Sequence, residues 1–125
     1  MSRAPRRRAS LSPNMDETLV VLTNLPDRDA AVKLAHELVE RKLAACVNVL
    51  AECTSIYRWK GAIENAREVP VLIKTRAALY DEIEAAITKL HPYEVPEIIA
   101  LPVVRGLADY LGWVSEGTSI SIGQG

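Results

Sequence analysis

The octapeptide HPYEVPEI, from His91 to Ile98, decides how this chain folds. It follows a segment with helical periodicity and precedes the branched apolar run Ile98-Ile99-Ala100-Leu101. Pro92 and Pro96 each fix φ, and each pushes its preceding residue, His91 or Val95, out of the helical region. The chain must therefore leave a helix, cross a stiff extended corner and enter a strand. That corner carries an imidazole (His91), a phenol (Tyr93) and two carboxylates (Glu94, Glu97). Rigid loops that present polar side chains are where function concentrates.

Upstream of the corner, Ala77 to Leu90 reads as an amphipathic helix with Leu79, Ile83, Ile87 and Leu90 on its buried stripe. Before it, Ile63 to Thr75 reads as a strand. Pro70 lacks a ladder donor, which predicts an edge or a bulge at that point. Trp59-Lys60-Gly61 signals a turn, so this strand is the return of a hairpin. The outgoing strand covers Leu43 to Tyr57, with a bulge expected near Ala51 to Cys53. Earlier still, Thr18 to Asn24 is apolar on both faces, as a central strand is. Asp27 is placed to cap a helix reaching Lys42, with Ala31, Leu34, Ala35 and Leu38 as its apolar stripe and His36 outside it. Downstream, the strand from Ile98 to Val104 is ended by Gly106. Leu107 to Glu116 then reads as a short helix, with Leu107, Tyr110, Leu111 and Val114 on one side.

The order is β-α-β-β-α-β with an added C-terminal helix, an α+β chain. Right-handed crossovers favour a four-stranded antiparallel sheet with both main helices on one face, the ferredoxin-like arrangement. Residues 16–117 form this one domain, residues 1–15 an Arg- and Ser-rich disordered tail, and residues 118–125 a flexible terminus. The hairpin strands are longer than the outer ones. Their overhanging ends carry Tyr57 and Trp59 and call for cover by another subunit. Trp113 joins these two as an expected interface residue, because half-buried Trp and Tyr suit subunit borders.

Composition supports assembly. The 125 residues are 49% hydrophobic but contain no Phe. A small domain built from Val, Ile, Leu and Ala gains apolar burial by oligomerising. The net charge of −1 conceals a division. Residues 1–14 hold four Arg and no acid, so the remainder has 15 − 4 = 11 bases against 16 acids, a net of −5. An acidic fold argues against a nucleic-acid surface and tolerates cations. No apolar run approaches the ~20 residues of a membrane span, and the tail lacks the apolar core of a secretory signal.

Cys46 and Cys53 do not make a disulfide framework. On one continuous strand they lie about 23 Å apart at ~3.3 Å per residue, and on opposite faces unless a bulge intervenes. Two reduced thiols predict a cytoplasmic protein. Cys46, His91 and Glu68 are the candidate metal ligands, since copper and zinc accept thiolate, imidazole and carboxylate. No nucleophile elbow or oxyanion motif is present, so no catalytic residue is assigned and the chain reads as a non-enzyme. Neither GxGxxG nor GxxxxGK[ST] occurs. Lys74 and Arg76 at a strand-to-helix junction are the candidates for an anion in a cleft between subunits.

Five blocks together resemble the CutA family of divalent-cation tolerance proteins. They are LAACVN (Leu43–Asn48), SIYRWKG (Ser55–Gly61), EVPVLIKT (Glu68–Thr75), HPYEVPEI and DYLGW (Asp109–Trp113), in that order over Thr18 to Glu116. The resemblance implies a ferredoxin-like subunit, a tight homotrimer joined by the long hairpins, a cytoplasmic setting and a role in tolerance of copper and other divalent ions. It also implies a likeness to the trimeric PII signalling proteins, and hence the alternative of a small-molecule sensor with inter-subunit clefts. Copper-binding members carry a Cys late in the first strand and a His pair before the Pro-Tyr. Here those positions hold Thr23 and Leu90-His91, while Cys46 matches the cysteine of the LAAC block. With His91 alone of that set, a soft-metal site is short of a tetrahedral shell.

Overall fold

The computed structural model describes residues 17–118. The tail expected over residues 1–15 and most of the expected C-terminal segment lie outside the described residues. Thr118, at the start of that segment, is fully buried, and Arg76 Nε donates to its Oγ1 at 2.8 Å.

The chain runs β1 (Thr18–Leu25), α1 (Arg28–Glu40), β2 (Cys46–Val49), β3 (Cys53–Trp59), β4 (Ala62–Arg76), a 3-10 turn (Ala77–Leu79), α2 (Tyr80–Leu90), β5 (Ile98–Pro102) and α3 (Ala108–Gly117). The antiparallel sheet has the order β2-β4-β1-β5, with β3 pairing further along the β2 edge of β4. It therefore has four lanes, one of them split between β2 and β3. The doubly apolar β1 is central, as its sequence predicts.

Residues 69, 71, 73 and 75 of β4 and 19, 21, 23 and 25 of β1 all point to one face and are buried. On that face α1 supplies Ala31, Leu34 and Leu38, and α2 supplies Ile83, Ala86 and Ile87. Fully burying each Leu or Ile contributes about 2 kcal/mol. Asp27 caps α1, its Oδ1 accepting from Ala30 N–H at 2.8 Å. At the other end Leu43 N–H donates to Leu38 O and Lys42 N–H to Val39 O. This Schellman pattern puts Lys42 at φ 60, a conformation that favours glycine. Leu90 departs from the sequence reading. It is the last residue of α2 and stays 37% exposed, while Ala86 is buried on the stripe.

The β2–β3 break confirms the expected bulge. Val49 pairs with Val71 and Cys53 with Glu68, so three residues on one strand oppose two on the other. Pro70 sits at this step, and its carbonyl accepts from Leu50 N–H at 2.9 Å. The β3–β4 turn is Lys60-Gly61, both with positive φ, in the two-residue form that matches strand twist. Beyond Glu68 the hairpin pairs only with itself, projecting past the other lanes.

Helix α3 packs against β4 and β1 from the side opposite α1 and α2. Of its expected apolar side only Val114 is fully buried; Leu107 and Tyr110 stay exposed. Ile99 and Leu101 of β5 are also exposed, as are Ile56 and Ile63 on the hairpin. That is a large exposed apolar surface for a chain of this size.

Candidate functional site

A cleft of about 800 Å³ opens between the projecting hairpin and the HPYEVPEI corner. The last turn of β1 contributes Asn24. The hairpin contributes Tyr57, Trp59 and Glu68, and the corner contributes Tyr93, Glu94 and Glu97. Three carboxylates and three aromatic rings thus share one cavity, and among the described residues no basic side chain lines it.

The corner is held in place by His91, which is 92% buried (8% exposed). Its Nε2 lies 2.5 Å from the Asn24 carbonyl, and its Nδ1 lies 3.2 Å from the Tyr93 main-chain nitrogen. A carbonyl can only accept and a peptide N–H can only donate. The network therefore assigns the proton to Nε2 and the lone pair to Nδ1. Both ring nitrogens of this neutral tautomer are engaged by backbone. A second tie joins the same elements: Asn24 Nδ2 donates to Glu97 Oε1 at 2.7 Å.

Tyr93 stands against His91 with ring centroids 4.5 Å apart. Its hydroxyl is hydrogen-bonded to Glu68, itself buried. Burial first, then the hydrogen bond and charge of Glu68 and the nearby Tyr57, push the Tyr93 phenol up to about 12. Tyr93 is thus a neutral donor across the neutral pH range, and it orients the Glu68 carboxylate at the cleft wall.

The three metal-ligand candidates do not meet. Glu68 lines the cleft. His91 lies behind its floor with both nitrogens occupied. Cys46 pairs with Lys74, whereas Glu68 is six residues away on β4, roughly 20 Å at ~3.3 Å per residue. Among the described residues no three His, Cys, Asp or Glu side chains converge as a metal shell. The residues of one copy therefore do not fit a complete metal site. Cys53, not Cys46, faces Glu68. The bulge explains this, because Lys74 and Glu68 share a face of β4, so both thiols fall on one side of the ladder. The anion candidates are also engaged: Lys74 Nζ donates to Asn48 Oδ1, and Arg76 donates to Thr118.

Of the interface candidates, Tyr57 and Trp59 line the cleft. Trp113 sits elsewhere, on α3, with its ring 5.6 Å from that of Tyr110. Asn24 and the Tyr93–Glu68 bond carry no sequence signal, since their partners are distant along the chain. Among the described residues no helix is long and apolar enough to cross a membrane.

Known proteins fit this geometry. The profile of the family described as "CutA1 divalent ion tolerance protein" matches residues 19–117. The chain is 43% identical over 99 residues to the divalent-cation tolerance protein CutA of Thermus thermophilus, covering 79% of this chain and 96% of that one. It is 46% identical over 93 residues to mouse protein CutA, covering 74% of this chain but only 52% of that longer protein. The crystal structure of CutA from Xylella fastidiosa superposes with a TM-score of 0.80 at 37% identity, over 82% of this chain and 99% of that one. The fold, the matched span and these identities place this chain in the CutA1 divalent ion tolerance family.

Proposed function

We propose that this protein acts without catalysis, as a cytoplasmic homotrimer, in the response to divalent cations, and that the acidic cleft is where a cation is drawn. The observation that carries this reading is that Glu68, Glu94 and Glu97 all line one cavity, with no basic side chain among the described residues that line it. Carboxylates accept divalent ions, including copper and zinc, and a low-dielectric wall of aromatic rings strengthens their field. One copy offers too few converging ligands. A neighbouring copy at the same cleft completes the shell. The exposed hairpin residues Ile56 and Ile63 and the exposed Trp113 supply the apolar area for that contact.

Calorimetric titration with Cu(II) and Zn(II) tests this. Glu68→Gln and Glu97→Gln should each weaken binding several-fold, and His91→Ala should weaken it through loss of the corner's position. Equal affinity in wild type and both Glu variants would remove the cleft from the reading. Light scattering should give three times the chain mass at micromolar concentration, and a monomer there would remove the trimer.

A further inference from the structure

His91 is the imidazole that the family resemblance offers as a metal ligand, and the structure engages it otherwise. We infer that His91 is a latch held by the backbone in a single tautomer, and that it takes no metal. This goes beyond the cation response proposed above and holds whether or not the cleft takes an ion.

A metal binds imidazole through a lone pair, and the neutral ring has one to give. In His91 that lone pair is on Nδ1, where it accepts from Tyr93 N–H at 3.2 Å. The proton is on Nε2, which donates to the Asn24 carbonyl at 2.5 Å. A metal at Nδ1 would displace the Tyr93 N–H. A metal at Nε2 would first need the proton moved to Nδ1, which would bring two N–H groups together at Tyr93 and take the donor from the Asn24 carbonyl. Either change orphans a backbone group beside a buried ring, and so opposes metal binding by about tenfold or more.

The ring is also held against turning outward. His91 N–H donates to Ile87 O at 2.8 Å, Pro92 fixes the next φ, and the Tyr93 ring packs at 4.5 Å between centroids. His91 is only 8% exposed within one subunit, so its burial needs no neighbouring copy. The positions that would complete a soft-metal shell around it offer nothing. Thr23 is fully buried and its hydroxyl has no hydrogen-bond partner, so it does not reach the ring. Leu90, just before His91, is apolar.

The experiment uses the full chain, isotope-labelled on nitrogen, and reads the imidazole nitrogens by long-range proton–nitrogen NMR correlation. His36 and His91 are the only histidines, and His36→Gln assigns them. With a chelator present, His91 should show Nε2 protonated and Nδ1 bearing the lone pair, and the Tyr93 amide should exchange slowly. Zn(II) in stoichiometric excess should leave that nitrogen pattern in place. His36, exposed on α1, is the internal reference for an imidazole open to the ion. A proton on Nδ1, or a mixture of tautomers, would overturn the inference. So would a Tyr93 amide that is protected only after Zn(II) is added. Loss of the Nε2 proton, or movement of Nδ1 out of the lone-pair range on adding Zn(II), would show direct coordination and overturn it as well. The tautomer and the Tyr93 amide are read without metal, so they decide this inference even where the calorimetric titrations find no cation at the cleft.

Discussion

His91 and Asn24 are 67 positions apart in sequence, yet the imidazole Nε2–H points at the Asn24 carbonyl at 2.5 Å. This bond fixes the proline-braced corner to the end of β1 and so sets the floor of the cleft.

Replacing His91 by Ala removes the donor to Asn24 O and the acceptor for Tyr93 N–H, leaving two polar groups of a buried region unpaired. The expected loss is about 1–3 kcal/mol of unfolding free energy, as each such orphan is costly. Urea unfolding measures it. An unchanged midpoint would mean that the corner is held by its prolines and the Asn24–Glu97 contact alone.

Two of the four tyrosines should ionise late. Tyr93 and Tyr80 are both pushed up to about 12, by burial first and then by hydrogen bonds to Glu68 and Glu84 respectively. Their folded values lie above the unfolded value of 10.0, so the folded state holds these protons more tightly. The stability they contribute is fully present below pH 10 and is lost as pH rises through about 12. Tyrosinate absorbance should therefore rise in two phases. Tyr93→Phe should shrink the later phase, and a single phase near 10 would refute the assignment.

Two buried threonines should respond oppositely to Val. Thr75 Oγ1 donates to Leu43 O at 2.6 Å inside the core, and Thr75→Val should cost about 1–2 kcal/mol. Thr23 Oγ1 is buried without a hydrogen-bond partner. Thr23→Val removes that uncompensated hydroxyl at nearly constant volume, and should be neutral or stabilise by about 1 kcal/mol. Paired thermal melts decide between them.

Backbone conformation gives a further opposed pair. Lys42 caps α1 at φ 60, so Lys42→Gly should stabilise by about 1 kcal/mol. Gly61 turns the hairpin at φ 86 with open space where a Cβ would stand. Gly61→Ala should cost about 1 kcal/mol from conformation alone. Chemical denaturation of both variants, with wild type alongside, reads the signs.

Much of the frame was legible because it is written in local chemistry. Asp27 announced its cap, Pro70 announced an edge or a bulge, and Pro92 and Pro96 announced the corner. The site was legible only in part. Glu68 and the corner carboxylates were noticed, but their meeting depends on β4 passing beside the corner, which no spacing encodes. Cys46 looked like a ligand by type, and the ladder register puts Cys53 opposite Glu68 instead. Leu90 followed the helical period yet, as the last residue of α2, it stays exposed.

The extra residue opposite Pro70 acts as a parity switch for everything distal to it. Cys53, Ser55, Tyr57 and Trp59 share a side with Glu68, Ala66, Glu64 and Ala62 only because three positions are matched against two. Paired straight on from Val49 and Val71 with no residue skipped, Glu52 would face Glu68 and the ribbon's two sides would exchange. Glu52, Thr54, Ile56 and Arg58 would then take the side now held by the two rings. A single insertion thus determines which chemistry the arm shows to its surroundings, while the four lanes beneath it stay as they are.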